Sequence, residues 1–218
     1  MVNKVHNLSD IEVKVEAIKG SDIKKTCYIS ILGSKVSSRN TCFSSRGLAE
    51  KLFIDSDIPS LILQVPMVLG EDDYASKSLK KKALSRFGFT FRKFSLEQPI
   101  YAGDIIKVIN IDIGRSLEGD LSPSGIKTLA GPTSLTREKL IKKAAKLLGA
   151  RVIVFSLPLF LGYGLARIFE ILFSNPPISR TMMGVLDHDD VIDPLHSCKE
   201  LGIELTVLDT MLETTLIS

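Results

Sequence analysis

An α/β fold built on a doubly wound parallel sheet, with a smaller, mostly helical C-terminal lobe, is predicted by three features of the sequence. Helix-like and strand-like segments alternate between Asp10 and Val68, two of the strand-like segments are nearly continuous apolar runs, and the character of the chain shifts beyond Gly114. Strands that are apolar at successive positions are buried on both faces, as in a parallel sheet covered by helices on each side.

The elements follow in order. Asp10–Gly20 places Ile11, Val15 and Ile18 at helical spacing, with Gly20 as a stop. Thr26–Leu32 has the β-branched and aromatic content of a short buried strand, ended by Gly33. Ser44–Ile54 reads as a helix with Leu48, Leu52 and Phe53 inward and Ser44 or Ser45 near its start. Pro59 breaks it, and Leu61–Val68 follows as a strand. Right-handed crossover then predicts that Thr26–Leu32 and Leu61–Val65 are adjacent parallel strands with the intervening helix crossing between them.

Phe87–Phe94 alternates Phe89 and Phe91 with other residues, a strand with one exposed face, and Gln98–Ala102 leads into a short helix over Asp104–Ile111. Turn formers between Glu118 and Gly125 mark the lobe boundary, giving expected domains of residues 1–114 and 115–218. Thr136 is a natural N-cap for a helix over Arg137–Leu148, whose stripe is Leu140, Ala144 and Leu147 and whose stop is Gly149. Asn175-Pro176-Pro177 breaks the chain again, and a helix starts near Pro194 and runs to Leu201.

Composition narrows the function classes. Hydrophobic residues make up 44% and charged ones 24%, with a net charge of +3, which is ordinary for a folded chain. The single compact basic run, Lys77, Lys80, Lys81, Lys82 and Arg86, is better read as a solvated helix face than as a nucleic-acid stripe. Cys27, Cys42 and Cys198 are few, odd in number and widely spaced, which argues against a disulfide framework and a CxxC zinc site and for a reducing cytoplasm. Met1–Asp10 lacks the apolar core of a signal peptide. Val152–Phe173 approaches the length of a membrane span, but Pro158, Gly162, Gly164, Arg167 and Glu170 interrupt it. A buried or interfacial helix pair is the expectation, with packing inside the small lobe favoured over a membrane or partner surface. Asp187, His188, Asp189 and Asp190 with Asp193, His196 and Cys198 match no standard metal spacing, so a solvated loop is expected and no metal.

Several motifs in sequence order carry a resemblance. Asn7–Gly20 followed by Ile23–Ser30 (IKKTCYIS), Cys42-Phe43-Ser44-Ser45-Arg46 continuing to Glu50, Gln64–Gly70 (QVPMVLG), Gln98–Asp104 (QPIYAGD), Leu129-Ala130-Gly131-Pro132 with Leu135-Thr136, and Leu201-Gly202-Ile203 together resemble the latter part of an atypical or extended short-chain dehydrogenase/reductase. The similarity is to the NAD-dependent epimerase-like branch that includes the Rossmann-fold accessory subunit of respiratory complex I. It implies a partial Rossmann-like sheet, residues 1–114 as the latter half of an NAD(P)-binding domain, and residues 115–218 as a substrate lobe. NAD or NADP is the cofactor the complete family fold implies. The chain contains no G-x-G-x-x-G or G-x-x-G-x-x-G, the segment that lets a helix start approach a pyrophosphate, so tight binding by this chain alone is not expected.

The same resemblance assigns candidate site positions. Ser30 stands where the family has its active-site serine, Cys42 at the tyrosine and Arg46 at the lysine four residues on, a spacing that puts both on one helix face. Val65, Pro66 and Met67 would line the nicotinamide side, with Gln64 and Val65 replacing the family's Arg-Pro pair. Ser30 and Arg46 are also candidates for the cofactor, since an arginine can still donate to a ribose, but cysteine lacks the tyrosine's phenol and arginine's fork differs in geometry from lysine, so standard proton transfer is not expected. A thiolate at Cys42 activated by Arg46 is one reading, and an inert buried cysteine is favoured over it. Ser30 is open to two readings, a hydrogen bond to substrate or one to its own loop. Three functions remain in play: a nucleotide-binding family member with lost or changed catalysis, a fragment of an active epimerase or reductase, and a non-enzymatic interaction module. A sheet lacking its early strands would leave the Thr26–Leu32 edge open, which predicts a homo-oligomer or a companion chain and no nucleic-acid partner.

Overall fold

The structure is a computed structural model and describes residues 8–121, 125–173, 176 and 178–217. Its elements run α1 (Leu8–Lys19), β1 (Thr26–Ile31), α2 (Thr41–Ile54), β2 (Ser60–Val65), β3 (Val68–Leu69), α3 (Tyr74–Leu84), β4 (Phe87–Phe91), β5 (Leu96–Glu97) and β6 (Ile100–Tyr101). They continue with α4 (Ala102–Leu117), β7 (Gly125–Thr128), β8 (Leu135–Thr136), α5 (Arg137–Leu147), β9 (Ile153–Leu157), α6 (Leu159–Leu172), α7 (Arg180–Val185), α8 (Leu195–Leu201) and α9 (Leu208–Ile217). Two compact units share the chain: Met1–Val65 with Lys107–Leu129, and Pro66–Ile106 with Ala130–Ser218. They interleave along the sequence, which differs from the single boundary near residue 114 that composition suggested.

The first unit holds a three-stranded parallel sheet of order β1-β2-β7. Thr26 pairs with Ser60 and Ile31 with Val65, so the expected parallel neighbours and their crossover through α2 are present. All six residues of β2 are buried, as suits a largely apolar strand with a neighbour on each side. One face is covered by α1 and α2 through Ile11, Val15 and Ala49, against which Tyr28, Leu52 and Phe53 pack. Each such aliphatic burial is worth roughly 1.5–3 kcal/mol. The start of α2 lies earlier than expected. Asn40, not Ser44 or Ser45, is the N-cap, its Oδ1 accepting from Cys42 N at 2.8 Å and Phe43 N at 3.4 Å. The two serines instead bond back to carbonyls within the helix, Ser44 to Thr41 and Ser45 to Cys42. Leu48, expected inward, is half-buried, while Gly47 and Ala49 are buried.

In the second unit, α3, α5 and α9 meet in a core that includes Leu69, Leu79, Leu140, Ile141, Met211, Leu212 and Leu216. Thr136 caps α5 as expected, accepting from Lys139 N at 3.2 Å, and Leu140 and Ala144 lie on its buried face. Gln98 makes a side-chain clasp: Nε2 donates to the carbonyls of Gly131 (2.7 Å) and Ile192 (2.9 Å) while Oε1 accepts from Ile192 N (2.9 Å). A Cβ at Gly131 would stand 1.8 Å from the Pro99 carbonyl oxygen, so only glycine fits beside the Gln98-Pro99 turn. Leu61–Val68, expected as one strand, divides at Pro66, which has no N–H to donate; β3 pairs with β6 instead of continuing β2. The expected helix over Asp104–Ile111 is the longer α4.

The apolar stretch from Val152 to Phe173 is not a helix pair. Its first part is β9, paired in parallel with β4 so that Phe89 stands opposite Phe155, and Pro158 then opens α6. The β-branched and aromatic residues before Pro158 suit a strand better than a helix. Nor is α6 a packed core helix: it buries Gly162 and Ala166, while Phe160, Leu165, Ile168, Ile171 and Leu172 are exposed. Among the described residues no helix is long and apolar enough to cross a membrane. The Asn7 and Asn175–Pro177 assignments fall partly outside the described residues.

Candidate functional site

Ligands of parallel α/β sheets bind beyond the carboxyl ends of the strands. In the first unit those ends carry Ser30 and Ile31 of β1, Gln64 and Val65 of β2, and Thr128 of β7. A buried polar cluster sits there. Ser30 is 2% exposed and Glu50, from the middle of α2, is 3% exposed. Ser30 Oγ donates to Glu50 and lies 3.4 Å from Ser34 Oγ. Gln64 Nε2 reaches both Glu50 carboxylate oxygens at 3.0 Å and the Ser34 carbonyl at 3.0 Å. Burial raises the Glu50 carboxyl above its ordinary pKa, against the opposing pull of the Ser30 and Gln64 hydrogen bonds and the charge of Arg46.

The Ser30 hydroxyl is turned to the Glu50 side chain on α2, with the Ser34 side chain of the following loop nearby. That loop is held tight. A Cβ on Gly47 would lie 2.4 Å from the Lys35 carbonyl carbon and 2.5 Å from Val36 N, so α2 and the loop backbone touch at a residue that must lack a side chain. Arg46 Nη1 donates to Tyr28 Oη at 2.9 Å, and Tyr28 stacks on Phe53 with centroids 4.9 Å apart. One guanidinium N–H thereby helps to hold β1 against α2. Cys42 is half-buried, and burial raises its thiol pKa despite the nearby Arg46 charge. Burial and the Arg46 charge act on this thiol in opposite directions, and burial is the larger.

The expected site residues are therefore brought together only in part. Ser30, Cys42, Arg46 and Val65 belong to the first unit; Pro66 and Met67 belong to the second. Val65 is buried and its carbonyl accepts from Leu32 N at 2.9 Å. Met67 packs on the core of the second unit, and its carbonyl accepts from Ile100 N at 2.9 Å. Glu50 and Gln64, quoted above only as parts of motifs, are the hub. Their signal in the sequence was a carboxylate on an inward helix position and an amide inside an apolar strand.

Some of the donors that a dinucleotide would use are engaged within the fold. The N–H groups at the start of α2 are held by Asn40, and at the start of α3 Asp73 accepts from Gly70 N at 3.0 Å and from Ser76 N at 2.5 Å. The caps of α2 and α3 thus take up some of the backbone donors with which a helix start can approach a pyrophosphate. The single O–H of Ser30 is taken by Glu50, whereas Arg46 uses one of its five N–H donors on Tyr28.

The acidic loop of the second unit is a clasp. Asp189 accepts from Ser95 Oγ and from Leu96 N at 3.2 Å, and Arg92 pairs with Asp187 at 3.0 Å. Among the described residues no group of three or more His, Cys, Asp or Glu side chains could hold a metal ion. Nearby, Arg137 on α5 pairs with Glu97 and donates to the carbonyls of Phe91 at 3.0 Å and Leu186 at 2.9 Å.

No family model matches the chain. Solved structures similar to it include a nucleoside-diphosphate-sugar epimerase from Staphylococcus aureus, with 14% identity and a TM-score of 0.70 over 98% of this chain and 73% of that one. A human epimerase family protein with NADPH matches with 12% identity and a TM-score of 0.70 over 97% of this chain and 72% of the other. UDP-glucuronic acid 4-epimerase from Bacillus cereus, in complex with UDP-glucuronic acid and NAD, matches with 19% identity and a TM-score of 0.65 over 98% and 67%. At these identities the likeness is one of fold: the chain has the Rossmann-like α/β fold of epimerase-type short-chain dehydrogenase/reductases.

Proposed function

We propose that this chain is an epimerase-like scaffold of the short-chain dehydrogenase/reductase family that lacks tyrosine/lysine proton transfer and does not by itself hold NAD or NADP tightly. The observation that carries this reading is the commitment of the family's site positions to internal structure: Ser30 to Glu50, Arg46 to Tyr28, and Cys42 to a thiol raised by burial. Nucleotide binding in a complete fold of this kind needs a glycine-rich helix start, which this sequence does not contain. In this reading the first unit corresponds to the latter half of a nucleotide-binding domain and the second to a substrate lobe, in a cytoplasmic protein.

The test is turnover. The chain is assayed with UDP-glucose, UDP-glucuronic acid and NAD or NADPH, alongside Cys42→Tyr/Arg46→Lys, which restores the family's pair. No NAD(P)-dependent turnover is expected from the natural chain, and turnover by it would overturn the reading.

A second reading, an interaction module on this scaffold, is favoured by the exposed apolar side chains of α6 and by β1, an outer strand of its sheet with Ile29 45% exposed. Both surfaces suit a second copy or a companion chain.

A further inference from the structure

The second unit contains a cavity of about 520 Å3, within the range of roughly 300–1,000 Å3 in which small-molecule ligands are held. Its inner wall is aliphatic: Leu79 from α3, Leu140 and Ile141 from α5, Leu157 from β9, and Leu186. The polar pair in that wall, Glu97 and Arg137, is ion-paired, and Arg137 also donates to the Phe91 and Leu186 carbonyls. The rest of the lining is largely apolar, with hydroxyls from Tyr74, Ser78 and Thr90 and one charged exception.

That exception is Lys82. It lines the cavity and also an outer groove of about 490 Å3, which shares Tyr74, Ser78 and Phe89 with it, so Lys82 stands at the mouth between the two. Among the described residues its ammonium makes no hydrogen bond or ion pair, although it lies within electrostatic range of Arg137 and Glu97. Burial and the Arg137 charge both disfavour its protonated form. The outer groove adds Lys77 and Lys81 on the same helix, Lys77 pairing with Asp72 at 3.2 Å. An unpaired, half-buried ammonium at the entrance of an aliphatic cavity is satisfied by an anion whose remainder is apolar.

We propose that the second unit binds a monomeric single-chain anionic amphiphile, its hydrocarbon tail in the Leu79–Leu140–Leu157 cavity and its carboxylate or phosphate head on Lys82 at the mouth. The basic run Lys77–Lys82 is then a head-group rim and not only a solvated face. No chemistry on the ligand is implied; the site is one of binding.

The test titrates dodecanoate, below its micelle concentration, calorimetrically into the full chain, with dodecanol and phosphatidylglycerol vesicles as separate arms. Two variants accompany it: Lys82→Met, which keeps the aliphatic stem and removes the charge, and Ser78→Phe, which narrows the mouth; circular dichroism checks their folding. Saturable one-to-one binding of dodecanoate is expected, weakened about tenfold or more by Lys82→Met and abolished by Ser78→Phe, with dodecanol bound more weakly by a similar factor. Dodecyl phosphate in place of dodecanoate distinguishes the two head groups. The proposal is overturned by absence of saturation with either anion, by undiminished affinity in Lys82→Met, by equal affinity for dodecanol, or by association with anionic vesicles alone.

Discussion

Replacing Glu50 by alanine tests whether the cluster at the ends of β1 and β2 is structural. The substitution removes the acceptor of Ser30 Oγ and of Gln64 Nε2, both buried. An unpaired buried donor costs roughly 1–3 kcal/mol. Each donor keeps a weaker outlet, Ser34 Oγ at 3.4 Å for Ser30 and the Ser34 carbonyl at 3.0 Å for Gln64, so about 1 kcal/mol each applies. The vacated side-chain volume adds about 1 kcal/mol. A loss of about 3 kcal/mol corresponds to a fall in Tm of about 6–12 °C for a chain of this size.

The pH dependence has a definite sign. Because burial raises the Glu50 pKa in the folded state, the folded form binds the proton more tightly than the unfolded one, and the parent loses stability as pH rises from the ordinary glutamate range through the raised value. Glu50→Ala lacks this dependence, so its deficit is larger near pH 5 than near pH 8, and Glu50→Gln stays within about 1 kcal/mol of the parent while flattening the profile. Thermal melts followed by circular dichroism at both pH values measure this. A Glu50→Ala Tm within about 1 °C of the parent, or a deficit that grows with pH, would refute the reasoning.

Other substitutions probe separate features. Gly47→Ala drives a methyl into the Lys35–Val36 backbone and is expected to cost about 1–3 kcal/mol, read as a lower denaturant midpoint; an unchanged midpoint would mean that the loop yields freely. The Asp190 carboxyl is pushed up to about 7 by burial and then by Glu97, so the parent loses stability between the ordinary aspartate range and about pH 7. Asp190→Asn should gain on the parent over that window in melts across pH, and a gain confined to acid would contradict the assignment. Sedimentation of the natural chain should show oligomers or aggregates. Ile168→Glu on α6 and Ile29→Lys on β1, made separately, should identify which surface is responsible, and a monodisperse natural monomer would exclude both.

Where local signals and tertiary packing agreed, the sequence was readable. The β1–α2–β2 crossover rests on apolar runs and a handedness rule, and Thr136 announced α5 because an N-cap acts over three residues. Segments chosen by distant partners were harder. Ile153–Leu157 becomes a strand because β4, more than sixty residues earlier, pairs with it, and an apolar run alone does not separate strand from helix. At the site, the positions of Ser30, Cys42 and Arg46 were legible from motif order, but their partners were not. Glu50 and Gln64 lie 20 and 34 residues from Ser30, and the contact exists only once α2 has crossed between the strands.

In the proposed function Ser30, Arg46 and Glu50 hold the fold together and the chain by itself does not bind NAD or NADP tightly. Isothermal titration of NAD and of NADPH into the 218-residue protein tests it most directly. The account predicts no saturable binding up to about 1 mM of either nucleotide. Saturable binding in the micromolar range, weakened by Arg46→Met, would contradict it and restore the β1–α2 end of the sheet as a cofactor site.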